Sequence, residues 1–381
     1  MERKSKLTDS PTVQIPSDLL PKDGRFGSGP SKIRPEAISS LVDVSTTYLG
    51  TSHRQSTVRD VVGRLRNGLA ELFSLPSDYE VVLGNGGATQ FWDIATFSLI
   101  RRRSQHLSFG EFSSKFASAA ALAPHLEDPD IVSSEPGTRP KVKVDDTIDL
   151  YALTHNETST GVMMEIERPL GAESAIVAVD ATSGAAGLKV DAAEFDCYYF
   201  SPQKCFASEG GLWIALMSPK ALRRVEEIKE TGRFVPATLD LSIAVENSRL
   251  NQTYNTPALA TIYLTVNQIE WFLENGGLKF STGRCSESAD ILYGWAEGST
   301  YATPFVQNVV DRSLVVGTID FDPEIDALSV AKTLRANGIV DVEPYRKLGR
   351  NQIRVAMFPS IDPSDVYLLT RAIDYVVHAI K

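Results

Sequence analysis

Cysteine is scarce in this chain: Cys197, Cys205 and Cys285 are the three among 381 residues. Their number is odd and their spacing suits no metal, which excludes a disulfide scaffold and points to reduced thiols. The five histidines, His53, His106, His125, His155 and His378, form neither an HExxH motif nor a clustered pair, so no metal site is expected. No apolar run is long enough to span a bilayer. The opening MERKSKLTDSPTVQIPSDLLPKDG is polar and punctuated by proline, without the apolar stretch of a signal peptide. A cytoplasmic protein with no membrane partner is the expectation. No basic block stands out and the formal net charge is −10. That argues against nucleic acid as a partner, and an anionic substrate would have to be held by local arginines against the overall field.

What the chain does have is length and alternation. At 381 residues it exceeds the usual single core, so we expect an arm over residues 1–24, a large domain over 25–272 and a small C-terminal α+β domain over 273–381. YEVVLGNGG reads as a strand closed by glycines, and ATQFWDIATFSLI as the helix that follows. DLYALTHNETSTG, SAIVAVDATSGAAG and CYYFSPQK each run from an apolar stretch into polar residues, with intervals long enough for crossovers. The fold class is α/β, with a mostly parallel sheet. A long helix is expected to start at Thr256–Pro257 and end at a double glycine. The last helix, capped by Asp362 with Pro363 in its first turn, should pack its stripe of Val366, Leu369, Ile373, Val376, Val377 and Ile380 against a small sheet.

In such a sheet, ligands gather beyond the carboxyl ends of the parallel strands. Three consecutive strands end there in polar residues: Asn156, Glu157 and Thr158; Asp180 and Ser183; Gln203 and Lys204. A lysine ending a buried strand is costly unless its amine is neutralised, paired or used covalently. Asp180 follows a wholly apolar run and needs a cation or a protonated ring nitrogen beside it. Backbone N–H groups of Gly87, Ala88 and Thr89, at a helix opening, would cradle a phosphate. Phosphate, pyridine nitrogen and aldehyde together describe pyridoxal 5'-phosphate. Taken singly, Lys204 reads as a solvated edge residue, the glycines as a plain turn and Asp180 as a cap on the segment after its strand. Their joint order selects the cofactor reading.

The motifs RFGSGPSK, GTSHRQ, GNGGATQFWD, HNETSTG, VDATSGAAG, SPQKCFASEGGLW, NQTYNTPA and EPYRKLGRNQIRVAMFP span nearly the whole chain. Together they resemble the fold-type-I pyridoxal-phosphate-dependent aminotransferases, in the class that contains phosphoserine aminotransferase, actinobacterial type. The resemblance implies that Lys204 is the Schiff-base lysine and proton shuttle, and that Asp180 partners the pyridine nitrogen. It further implies Thr158 on the ring-hydroxyl side, and Phe112 stacked on the ring where many relatives use tryptophan. Gln203, Ala88 and Thr89 would bind the cofactor phosphate, with Asn255 and Thr256 reaching it from the neighbouring subunit of a homodimer. His53, Arg54, Arg346 and Arg354 match the family's phosphate and carboxylate binders. Tyr345 stands where other branches carry histidine, and Lys347 or Arg350 offers a substitute cation there.

The activity so implied is transamination of O-phospho-L-serine with 2-oxoglutarate to 3-phosphooxypyruvate and L-glutamate, a step of L-serine synthesis. The related 4-phosphohydroxy-L-threonine of pyridoxine synthesis presents the same anionic handles. A free lysine titrates near about 10.4, so the site must hold Lys204 largely neutral for it to act as a base. Rival readings are an alanine-glyoxylate aminotransferase, a cysteine desulfurase, or a binding protein of this fold. Against the desulfurase, Gln203 fills the place where those enzymes commonly have histidine, and Cys205 reads as a small packed hydrophobe. Against a mere binder, both the lysine and the aspartate are present.

Overall fold

The computed structural model describes residues 13–380. Its strands are β1 (Glu80–Asn85), β2 (Ser104–Ser108), β3 (Asp130–Ser133), β4 (Leu150–Thr154), β5 (Asn156–Glu157), β6 (Val162–Met163), β7 (Ile176–Asp180), β8 (Cys197–Phe200), β9 (Leu212–Met217), β10 (Ala302–Pro304), β11 (Val316–Phe321) and β12 (Gln352–Ala356). The helices are α1 (Pro35–Asp43), α2 (Ser56–Leu72), α3 (Ala88–Ser98), α4 (Glu111–Leu122), α5 (Pro219–Glu230), α6 (Leu241–Arg249), α7 (Leu259–Glu274), α8 (Leu278–Gly298), α9 (Ala327–Ala336) and α10 (Pro363–Ile380).

Seven strands form the main sheet in the order β1-β9-β8-β7-β4-β2-β3. The pairs from β8 through β7, β4 and β2 to β3 are parallel, and β9 alone runs against its neighbours. Strands β4, β7, β8 and β9 are buried along their whole length because both faces are covered. Alternation sorts their side chains into two cores. Val177, Val179, Tyr198 and Phe200 join the cluster that includes α2 and α7, while Ile176, Ala178, Cys197 and Tyr199 join the one formed with α3, α4, α5 and α6. The first cluster continues into the C-terminal part, where β10, β11 and β12 make an antiparallel sheet.

Two expectations need amendment. The long helix starts at Leu259, not at Thr256–Pro257: Ala258 is extended, and the preceding carbonyls of Asn255 and Thr256 accept from Thr253 Oγ1 and Asn85 Nδ2 instead of opening a helical turn. The last helix packs chiefly against α8 and α9, because α8, which the sequence reading did not single out, itself covers β10 and β11. Ile380 of its stripe is exposed. The arm is described from residue 13, where Ile15 is buried and its N–H donates to Asn337 Oδ1 at 3.0 Å; its first twelve residues lie outside the described ones. All three cysteines are free and buried. No described helix is long and apolar enough to cross a membrane.

Candidate active site

Because β1, β2, β4, β7 and β8 point the same way, their carboxyl ends meet at one edge of the sheet. A cavity of about 160 Å³ opens there, lined by Gly87, Ala88, Thr89, Phe112, Thr158, Asp180, Gln203 and Lys204, all drawn from the sequence reading. Trp92, Thr154, Asn156, Thr182 and Ser183 complete the wall.

Lys204 follows β8 and sends its amine to the carbonyl of Ser28, 2.5 Å away. Burial, and after it the charge of Arg354, push this amine down to about 8 from an ordinary 10.5. Gly29 makes the approach possible. Its φ is +148°, and a Cβ there would lie 1.9 Å from Lys204 Nζ.

Asp180 ends β7 and is buried. Oδ1 accepts from Thr182 N–H at 3.0 Å and Thr182 Oγ1 at 2.6 Å, and Oδ2 accepts from the Trp92 indole at 3.0 Å. Burial raises its carboxyl above the ordinary value, and these donors only partly offset that. A protonated ring nitrogen in the cavity would supply the cation this carboxylate lacks among its hydrogen-bond partners. Thr158 Oγ1 and Asn156 Nδ2 both donate to Ser183 Oγ, at 2.7 and 2.8 Å.

Also lining the cavity, α3 begins at Ala88 with Gly87 as its cap and no side chain capping it. Its first-turn N–H groups therefore point out without intrahelical acceptors, suited to an anion. Two buried acceptors around the cavity, Gln203 Oε1 and Asn156 Oδ1, have no hydrogen-bond partner. An anion cradle, a buried carboxylate with no cation among its hydrogen-bond partners, a desolvated amine and unpartnered amide oxygens fit a phosphorylated pyridine aldehyde.

Arg354, on β12, borders the site: its Nη1 donates to Thr158 O at 3.3 Å, its guanidinium lies 5.3 Å from the Tyr345 ring centre, and its Nε is buried without a partner. Tyr345 in turn stands 6.3 Å from Phe112, ring to ring. Arg346 is exposed in the turn that follows and does not line the cavity. Neither substitute cation is free: Lys347 Nζ binds Glu111 Oε1 at 2.5 Å, and Arg350 binds Asp320, its Nε at 3.1 Å.

Four candidates gather elsewhere. Thr256 Oγ1 meets His53 Nδ1 at 3.2 Å and Arg54 Nη1 donates to Gln252 Oε1 at 3.0 Å, while Asn255, like Arg54 and Thr256, is exposed. None of the four lines the Lys204 cavity. Burial and the adjacent Arg54 lower the His53 pKa. Sequence reasoning missed Trp92 and Thr182; the only signals were an indole donor one turn into α3 and a hydroxyl two residues beyond Asp180.

Residues 25–341 match the family model for class-V aminotransferases. Phosphoserine aminotransferases of Rhodococcus jostii and Corynebacterium glutamicum are 62% and 57% identical over 371 residues, 97% of this chain in each case and 99% and 98% of theirs. The chain belongs to the phosphoserine aminotransferases of class V. The chain shares its fold with solved phosphoserine aminotransferase structures from Cytophaga hutchinsonii and Bacillus circulans, at TM-scores of 0.84 and 0.82 with 23% and 22% identity, covering 92% and 94% of the chain and 97% and 99% of theirs. It is a transaminase of the α/β fold-type-I class.

Proposed function

We propose that this transaminase moves the amino group of O-phospho-L-serine to 2-oxoglutarate, giving 3-phosphooxypyruvate and L-glutamate, with pyridoxal 5'-phosphate in the Lys204 cavity. The observation that carries the reading is the convergence of Lys204, Asp180 and the uncapped start of α3 on one cavity. The chemistry the bound cofactor supplies is an aldehyde for amine exchange and a protonated ring that withdraws electrons. The chain's residues do the rest. Lys204 Nζ would hold the cofactor through its aldehyde, and as a free amine, its pKa pushed down to about 8 by burial, it would carry a proton away from the substrate α-carbon. Asp180 keeps the proton on the ring nitrogen, and Trp92 and Thr182 keep Asp180 oriented. Gly87, Ala88, Thr89 and Gln203 hold the cofactor phosphate, Thr158 the ring hydroxyl, and Phe112 the ring face.

Arg354 takes the substrate carboxylate with its free guanidinium edge, the geometry in which arginine binds such groups best. The grouping of His53, Arg54, Asn255 and Thr256 on the surface, away from their own cavity, supports a homodimer in which each subunit lends these residues to the other's site. His53 and Arg54, with Arg346, would then meet the substrate phosphate. The three buried, unpaired thiols suit a cytoplasmic enzyme.

Subunit mixing tests the shared site. Lys204→Ala and Arg54→Ala proteins, each nearly inactive toward phosphoserine, should regain activity when their subunits are exchanged, because one of the two sites in each hybrid is then intact. Continued inactivity in proven hybrids would refute the sharing.

A further inference from the structure

Glu157, a fully buried carboxylate beside the cavity, has no part in the chemistry above. It sits on β5 between Asn156 and Thr158, both of which line the cavity. Its own side chain turns instead to the start of α4. There Oε2 accepts from Phe112 N–H at 3.1 Å, Ser113 N–H at 2.9 Å and Ser113 Oγ at 2.9 Å; Oε1 accepts from Ser159 N–H at 3.2 Å and Ser159 Oγ at 2.7 Å. Phe112 N–H also reaches Oε1, at 3.3 Å. Ser159 Oγ accepts in turn from Glu111 N–H at 3.0 Å, adding a second tie to the same helical turn.

Two physical features make this a clamp. A negative charge at a helix N-terminus satisfies first-turn N–H groups that have no partner within the helix and is favoured by the helix dipole. Burying a carboxylate is costly unless it is fully hydrogen-bonded, so the arrangement tolerates little displacement. The approach is also as close as backbone permits: a Cβ on Gly110 would lie 2.3 Å from Glu157 Cγ. A cap supplied from α4 itself would stabilise that helix equally well. Glu157 joins it to β5, so Phe112 is tied to a residue whose neighbours Asn156 and Thr158 also line the cavity.

We propose that Glu157 is a positioning residue that sets the height of the Phe112 ring over the cofactor. This rests on the reading that Phe112 stacks on pyridoxal phosphate. A double-mutant cycle tests it, with the dissociation constant for added pyridoxal phosphate and the visible circular dichroism of the bound cofactor as readouts. In Glu157→Gln one acceptor oxygen becomes an amide NH2, a donor that faces backbone N–H donors. We expect affinity to weaken about tenfold, with a reduced dichroic signal, and Phe112→Ala to weaken it similarly. The double variant should be no worse than Phe112→Ala alone.

Should the two losses multiply to about a hundredfold, Glu157 acts independently of Phe112 and the proposal is wrong. Wild-type affinity and dichroism in Glu157→Gln would overturn it too. Normal affinity in Phe112→Ala would instead remove the stacking reading beneath it, a separately visible failure. If Glu157→Gln does not fold, Ser159→Ala carries the same cycle, deleting the 2.7 Å bond to Oε1 for an expected loss of about threefold.

Discussion

The Trp92 indole N–H donates to Asp180 Oδ2 across 3.0 Å, both groups buried, linking the first turns of α3 to the end of β7. One side chain thus connects the helix whose N-terminus is proposed to hold the cofactor phosphate with the carboxylate proposed to partner the ring nitrogen. Trp92→Phe keeps the packing and deletes the donor. Without it burial raises the Asp180 carboxyl further, so the protonated ring is held less firmly. We expect kcat to fall about 3- to 30-fold with KM for phosphoserine little changed, the split of an interaction serving the chemical step. Steady-state kinetics check this; an equal loss through KM would contradict the role.

The Lys204 amine supplies a pH dependence. In the cofactor-free protein it titrates at about 8, below its ordinary 10.5, so the neutral, nucleophilic fraction rises with pH through 8. Covalent attachment of pyridoxal phosphate should accelerate up to that point and level off above it. The linked stability has the same sign. Between about 8 and 10.5 the unfolded chain still binds the proton that the folded chain has released, so stability from this group rises with pH there, and it is flat below 8. Comparing melting temperatures across this range in the cofactor-free wild type and in Lys204→Met isolates the slope, which the variant should lack.

Gly29 gives a steric prediction. With a Cβ placed 1.9 Å from Lys204 Nζ and a φ of +148°, Gly29→Ala must displace either the Ser28–Pro30 segment or the lysine. Attachment of the cofactor to Lys204, measured as the mass added to the lysine-containing peptide after borohydride reduction, should drop by at least about tenfold. The main sheet is distant from this segment in sequence and should melt normally. Full labelling would show that the segment yields freely and that the Ser28 contact is incidental.

The order of strand-end residues made much of this legible. Asp180 announces itself because a charge directly after a wholly apolar run needs a reason, Lys204 because it comes four residues after the buried run that ends at Phe200, and the parallel pattern brings such ends to one edge. Trp92 and Glu157 were silent for the opposite cause. A tryptophan in an apolar helix reads as core, and its hydrogen bond reaches a residue 88 positions away. Glu157 in HNETSTG looked like one more polar strand end, whereas its side chain turns from the cavity to α4. Helix α8 escaped notice because much of its buried face is Ser281, Thr282, Cys285, Ser288 and Ala289, a run with little apolar periodicity. The loop cations were misleading in sequence because Lys347 and Arg350 look free there; Glu111 and Asp320, which bind them, lie far away along the chain.

The most direct test is a single half-reaction. The cofactor-loaded protein is mixed with O-phospho-L-serine or with L-serine, without 2-oxoglutarate, and the visible absorbance of the bound cofactor is followed in a stopped-flow instrument. Lys204, Asp180 and the phosphate site proposed for Arg54 and Arg346 together predict rapid loss of that band with phosphoserine, and a rate at least about a hundredfold lower with serine, which offers no phosphate to the guanidinium groups. Equal rates for the two amino acids, or a band that phosphoserine leaves untouched, would contradict the account.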